Sequence, residues 1–162
     1  MSPSTTSAIR AGALLLAATL GTAPAARAAD APPARPCTVS IASPANGETV
    51  SQSGTVSGRA DIPDADYLWV LTRPKGFDGW WPQGGGAASV IGGAWDLEIF
   101  YGSPQDVGSP FEVVALPVDA KTNDALRQWY ANATARHDFT PIRLPRPATG
   151  CPAAKVTVKR TS

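Results

Sequence analysis

Several short stretches hold residue types able to bind or react. "GWWPQGGG", residues 79 to 86, sets Trp80 and Trp81 side by side ahead of Pro82, Gln83 and three glycines. Exposed aromatic rings stack on sugar rings or on apolar ligands because they offer a large rigid area at small entropic cost. Gln83 would add a polar contact next to them. In an extended stretch the side chains alternate, so Trp80 and Trp81 point to opposite faces and at most one fills a core. Pro82 lacks a backbone donor and marks a strand end or edge, and Gly84 to Gly86 read as a mobile loop. The bland reading leaves both rings structural, closing one end of a core. The functional reading takes Trp80, Trp81 and Gln83 as the ligand-binding residues.

Three other constellations carry weaker chemistry. "DIPDAD" brings Asp61, Asp64 and Asp66 within six residues, and calcium needs six to eight oxygens. The ligand order of an EF-hand is missing, and aspartate is an ordinary turn residue. His137, the only histidine, would need a serine held beside it to act as a base, yet no G-x-S-x-G elbow occurs. It reads as a solvated side chain at a helix end. Asp96, Glu98 and Glu112 could supply paired carboxylates for glycoside hydrolysis, but alternation sends Asp96 and Glu98 to an outer face. No catalytic residue, metal ligand or cofactor is assigned.

The elements that must position these residues begin after a leader. "MSPSTTSAIRAGALLLAATLGTAPAARAAD" places Arg10 ahead of the apolar run "AGALLLAATL" and small residues at Ala26-Arg27-Ala28, the layout of a secretory signal peptide over residues 1–28. The run is about ten residues, against roughly 20 needed to span a bilayer. A Pro-rich leader covers 29–36 and one domain covers 37–162. In an exported chain, the even pair Cys37 and Cys151 reads as one disulfide joining the first and last strands. Its loop would remove unfolded-state entropy worth on the order of 4 to 5 kcal/mol in the simple chain model.

Without Arg10 and Arg27, the 14 basic residues become 12 against 13 acidic ones. That balance argues against nucleic acid or an anionic membrane as the main partner. The charges are blocked: residues 48–119 hold ten acidic and three basic groups, and 120–162 hold two acidic and eight basic. Such blocks attract each other in the folded state, or leave a basic docking face at the C-terminal end.

Period-two alternation dominates the domain. It places Val39 with Ile41, Val56 with Gly58, Ala60 and Ile62, and Trp95 with Leu97, Ile99 and Tyr101, each set on one face. "DYLWVLTRP" and "FEVVALPVD" are apolar on both faces, as central strands covered twice must be, so Trp69 and Trp95 read as core. "AKVTVKR" points Val156 and Val158 inward and its lysines outward, a pattern that protects an exposed edge. One short helix near 122–135 presents Leu126, Trp129, Tyr130 and Ala133 at helical spacing, with Thr122 or Asn123 as cap and Asp124 near the positive end.

"IASPANGETVSQSGTVSGRA", residues 41–60, resembles the opening of bacterial extracellular immunoglobulin-like modules, which commonly reads I-x-S-P-x-x-G-x-x-V and then V-x-G. "YLWVLTRP", "WWPQGG", "GGAWDLEIFYG" and "GSPFEVVALPVD" extend the resemblance over roughly residues 39 to 119. It implies an all-β, immunoglobulin-like Greek-key β-sandwich with one added helix, from a class of stalks, spacers, adhesion domains and binding domains. The helix and the long C-terminal return depart from that pattern and weaken a pure spacer role. The expectation is a secreted or cell-surface, non-catalytic binding module for a cell-wall polysaccharide or a surface protein. A small secreted inhibitor or ligand carrier is the alternative, and a hydrolase the weaker rival.

Overall fold

The protein is described here over residues 37–161 of a computed structural model; the expected signal peptide and leader lie outside the described residues. Strand β1 (Thr38–Ser43) stops at the cis Ser43-Pro44 bond. The following turn uses Gly47 at φ 86°, a conformation open to glycine without steric cost. This turn is tied to the far end of the chain: Asn46 Oδ1 accepts from the Thr157 N–H at 2.9 Å, and the Gly47 N–H donates to the Thr157 carbonyl at 2.7 Å. Strands β2 (Thr49–Val50), β3 (Ser53–Asp61), β4 (Tyr67–Pro74), β5 (Trp81–Pro82), β6 (Ala94–Phe100) and β7 (Pro110–Val118) follow. Helix α1 (Ala120–Arg136) and strand β8 (Ala154–Arg160) complete the domain.

The strands form two sheets, ordered β1-β3-β6 and β2-β8-β7-β4-β5. All pairings are antiparallel except β2 with β8. The alternating residues Val56, Ala60, Trp95 and Ile99 meet Leu68, Val70, Phe111, Val113 and Val158 in the core between the sheets. The other faces of β4 and β7 send Trp69, Leu71, Val114, Leu116 and Val118 into a second core, closed by Leu126 of α1 and by Trp80. The domain is therefore mostly β, built as two sheets with a helix covering the larger one.

Helix α1 spans 17 residues, longer than its expected 122–135. Asp119 is the cap, accepting from the Thr122 N–H at 2.7 Å, so Thr122 and Asn123 are already helical and Asp124 lies beyond the first turn. Asn123 has a different task. Its Oδ1 accepts from Trp69 Nε1 at 3.0 Å in a buried bond, which satisfies the indole and fixes the helix on the sheet. Leu126 and Ala133 are buried, whereas Trp129 and Tyr130 are half-buried at the helix margin.

Strand β8 is internal, not an edge, because β2 pairs along its other side. Val158 is buried and Lys155 and Lys159 point outward as expected. Arg160 is 1% exposed, and its Nη1 donates to the carbonyls of Tyr101, at 3.0 Å, and Ser103. The smaller sheet has β1 and β6 as its edges. The outward backbone groups of β6 are engaged at Ala94, bridged to Ile91, and at Phe100, whose N–H donates to Gln83 and whose carbonyl accepts from Thr72. Between them lie Asp96 and Glu98, charged residues that discourage edge-to-edge pairing.

The disulfide Cys37–Cys151 precedes β1 in one sheet and β8 in the other, with 4.9 Å between Cα atoms. It thus clamps the two sheets at one end. Near that end β1 and β3 pass over Trp95, and a Cβ on Gly58 would overlap the Ser40 carbonyl and lie 2.8 Å from Trp95 Cζ2.

Two stability outcomes follow. Gly58→Ala must separate β1 from β3 or push Trp95 out of its rotamer, costing about 2 kcal/mol or more in urea denaturation; an unchanged midpoint would contradict this packing. His137 ends α1 at φ 51°, a left-handed conformation that disfavours any side chain with a Cβ. His137→Gly should raise stability by about 1 kcal/mol at constant m-value.

Candidate functional site

At the end of the sandwich away from the disulfide, the two sheets and α1 leave a groove of about 1020 Å³. Strands β4 and β6 contribute Thr72, Glu98 and Phe100 to it, β5 contributes Trp81, α1 contributes Tyr130, and the connecting segments contribute Phe77 and Phe139. Phe77 and Trp81 stack with centroids 5.3 Å apart and planes 23° from parallel. Phe139 stands edge-on to Tyr130 at 6.2 Å and 70°. Phe77, Phe100 and Phe139 are 47%, 59% and 45% exposed. These apolar rings cluster at one place instead of scattering singly over the surface.

The tryptophan pair divides as alternation requires. Trp80 is 4% exposed, packs in the helix-side core and carries the Arg73 guanidinium 4.3 Å above its ring. Its backbone pairs with Ile142, whose N–H and carbonyl engage it at 2.9 and 2.8 Å. Trp80 is therefore a core residue, and the expected contact surface narrows to Trp81. The Trp81 Nε1 donates to the Phe139 carbonyl at 2.7 Å, so the indole offers its ring and not its N–H.

Gln83 lines the groove with its polar atoms already engaged. Its Nε2 donates to Thr72 Oγ1 at 3.0 Å and to the Trp81 carbonyl at 3.1 Å, and its Oε1 accepts from the Phe100 N–H at 2.9 Å. It ties the two sheets together while lining the groove, the place where the sequence puts a ligand contact. The glycines expected as a mobile loop pack as a turn. Gly84 and Gly85 adopt φ 70° and 74°, and a Cβ on Gly84 would fall 2.6 Å from Leu97 Cγ.

Four groove rings were not singled out from the sequence. Phe100 has a legible signal, since it occupies the polar phase of β6 with Asp96 and Glu98. Tyr130 belongs to the expected helical stripe but sits at its margin. Phe77 and Phe139 carry no periodic signal; Phe77 reaches Trp81 within the short β4–β5 connection, and only the tertiary fold brings Phe139 there.

The groove is acidic. Glu98 and Asp106 line it, and among the described residues no Lys or Arg does. The Asp106 carboxylate accepts from the Ser103 N–H at 2.7 Å and Oγ at 2.8 Å, and these bonds hold its carboxyl below the usual range, helped by Arg160. Glu112 lies elsewhere, 6% exposed, held by Arg73 at 2.6 Å and Lys155 at 2.7 Å. Burial alone would raise the Glu112 carboxyl, but the bonds from Lys155 and Arg73 outweigh it and the net direction is down. A general acid needs the opposite shift.

The remaining candidates stay apart from this groove. Asp61, Asp64 and Asp66 line a separate hollow of about 650 Å³ at the disulfide end. Among the described residues no group of three or more His, Cys, Asp or Glu is arranged to hold a metal ion. Burial, then Asp119, raises the Asp66 carboxyl. His137 is exposed at the end of α1. Asp96 points outward from β6, as alternation requires.

Comparison with protein-family models and with curated proteins returned no match. The groove geometry must carry the functional reading.

The depressed carboxyl of Glu112 yields a pH-dependent outcome. A group with a lowered folded pKa stabilises above its unfolded value and loses that contribution as pH falls through the folded one. Glu112→Gln should cost about 2 kcal/mol at neutral pH. The gap from wild type should close below the unfolded glutamate pKa of about 4.3; urea curves at pH 7 and pH 3 that show a constant gap would exclude the ion pairs as its source.

Proposed function

We propose that the protein is an exported, non-catalytic binding module of the immunoglobulin-like Greek-key type, and that its ligand is a surface glycan held in the aromatic groove. The observation that carries this reading is the exposure of Phe77, Phe100 and Phe139 around Trp81 in one groove. Full burial of such a ring is worth roughly 1.5 to 3 kcal/mol, and a ligand covering the groove would recover the part of it that these half-exposed rings forgo. Flat rings set at fixed angles suit the apolar faces of pyranose rings, and the groove volume lies at the upper end of small-ligand sites.

The two-sheet strand order and the disulfide support the module type and an extracytoplasmic setting. No described helix is long and apolar enough to cross a membrane. Against hydrolysis, Asp106 and Glu112 are each held towards the ionised form. A small-ligand carrier remains the second reading, favoured by the size of the groove.

Tryptophan fluorescence of the disulfide-bonded protein tests the proposal with a panel of soluble cell-wall polysaccharides. Trp81, at the groove, should respond to a bound polysaccharide. Phe100→Ala, at an exposed position, should fold normally and weaken binding at least about tenfold. A panel without response, or a Phe100→Ala protein that binds as wild type does, would refute a glycan site here.

A further inference from the structure

The electrostatics of the groove go beyond its shape and name a ligand class. We propose that it selects glycans bearing free amino groups, with Glu98 as the residue that distinguishes them from neutral or acidic sugars. This rests on the reading of the groove as a glycan site.

The first observation is charge. Glu98 makes no ion pair among the described residues, whose two salt bridges both belong to Glu112. It lies on the outward phase of β6, two residues from Phe100. Asp106 on the same groove is kept ionised by Ser103, although the neighbouring Arg160 offsets part of its charge. Among the described residues no lysine or arginine lines the site to balance Glu98. The faces of Phe100, Trp81 and Phe77 are themselves negative and attract cations within about 6 Å. Carboxylate and ring faces therefore act in the same direction, favouring an ammonium group and repelling a uronic acid.

The second observation separates a sugar from a peptide. An extended peptide gains affinity by adding main-chain hydrogen bonds to a strand edge. Here the Phe100 N–H and carbonyl are engaged by Gln83 and Thr72, and the Gln83 N–H donates to the Val70 carbonyl at 2.9 Å. Around Phe100, where the rings cluster, the main chain is engaged and the ligand meets ring surface and carboxylate. An amino sugar matches both features, having a flat C–H face for the rings and an ammonium group for Glu98.

The test compares a β-1,4-linked glucosamine oligomer with its fully N-acetylated counterpart by titration calorimetry, on wild type, Glu98→Gln and Phe100→Ala. Acetylation removes the charge and keeps the pyranose face. The glucosamine oligomer should bind wild type more tightly, and Glu98→Gln should weaken it about tenfold while leaving the acetylated oligomer unchanged. Added salt should weaken only the charged oligomer. Phe100→Ala should weaken both. If both oligomers bind equally and Glu98→Gln alters neither, the amino-group selectivity is overturned while the aromatic groove stands as a glycan site. If neither oligomer binds wild type, the amino-sugar assignment falls, and a response to other polysaccharides in the fluorescence panel then decides whether the glycan reading survives it.

Discussion

Strands β4 and β7 are apolar on both faces, and a sheet built around such strands is stable only if it is covered twice. The smaller sheet provides one cover through Trp95, Ile99 and Val56. The other cover is α1, seated by Leu126 and by the buried bond from Trp69 to Asn123. That bond matters because an unpaired indole N–H in an apolar layer would cost more than the bond itself contributes. Every later feature, from the position of Trp80 to the wall supplied by Tyr130, depends on the helix being held there.

The groove is a by-product of this layering. Two sheets of unequal width meet a helix at one end, and the short strand β5 leaves a gap that no strand fills. Gln83, Thr72 and Phe100 hold the gap to a defined width by joining the sheet edges through side-chain bonds. Arg160 does similar work on the other wall, pinning the Ser103 carbonyl and lending its charge to Asp106. A buried arginine is tolerable only with such acceptors. The groove is thus pre-shaped by polar ties beneath it, while the rings above remain exposed.

The charge blocks along the chain find partial resolution in the fold. Lys155, from the basic C-terminal block, pairs with Glu112 from the acidic middle, and Arg160 favours the ionised Asp106 through its charge. Glu98 lies beyond their reach on the edge of the other sheet. Its isolation combines with the aromatic cluster to give the groove a sign as well as a shape.

Much of this was legible residue by residue. Alternation alone determined which side chains of β3, β4, β6 and β7 face inward, because a period of two admits only two faces and apolar residues occupy one or both. It also required Trp80 and Trp81 to part company. With two cysteines in the sequence, only one intramolecular pairing was available, and it is the one formed. What alternation does not encode is which strands are neighbours, so β8 reads as an edge until β2, with two residues, is placed beside it. The role of Gln83 was hidden for the same reason, since its partners Thr72 and Phe100 lie 11 and 17 residues away on different sheets. Phe77 and Phe139 have no periodicity to betray them; Phe77 stacks on Trp81 across a short local connection, whereas Phe139 meets it only through chain closure. Local sequence settles the face a residue presents; the groove depends on long-range packing, and only the tertiary structure decides it.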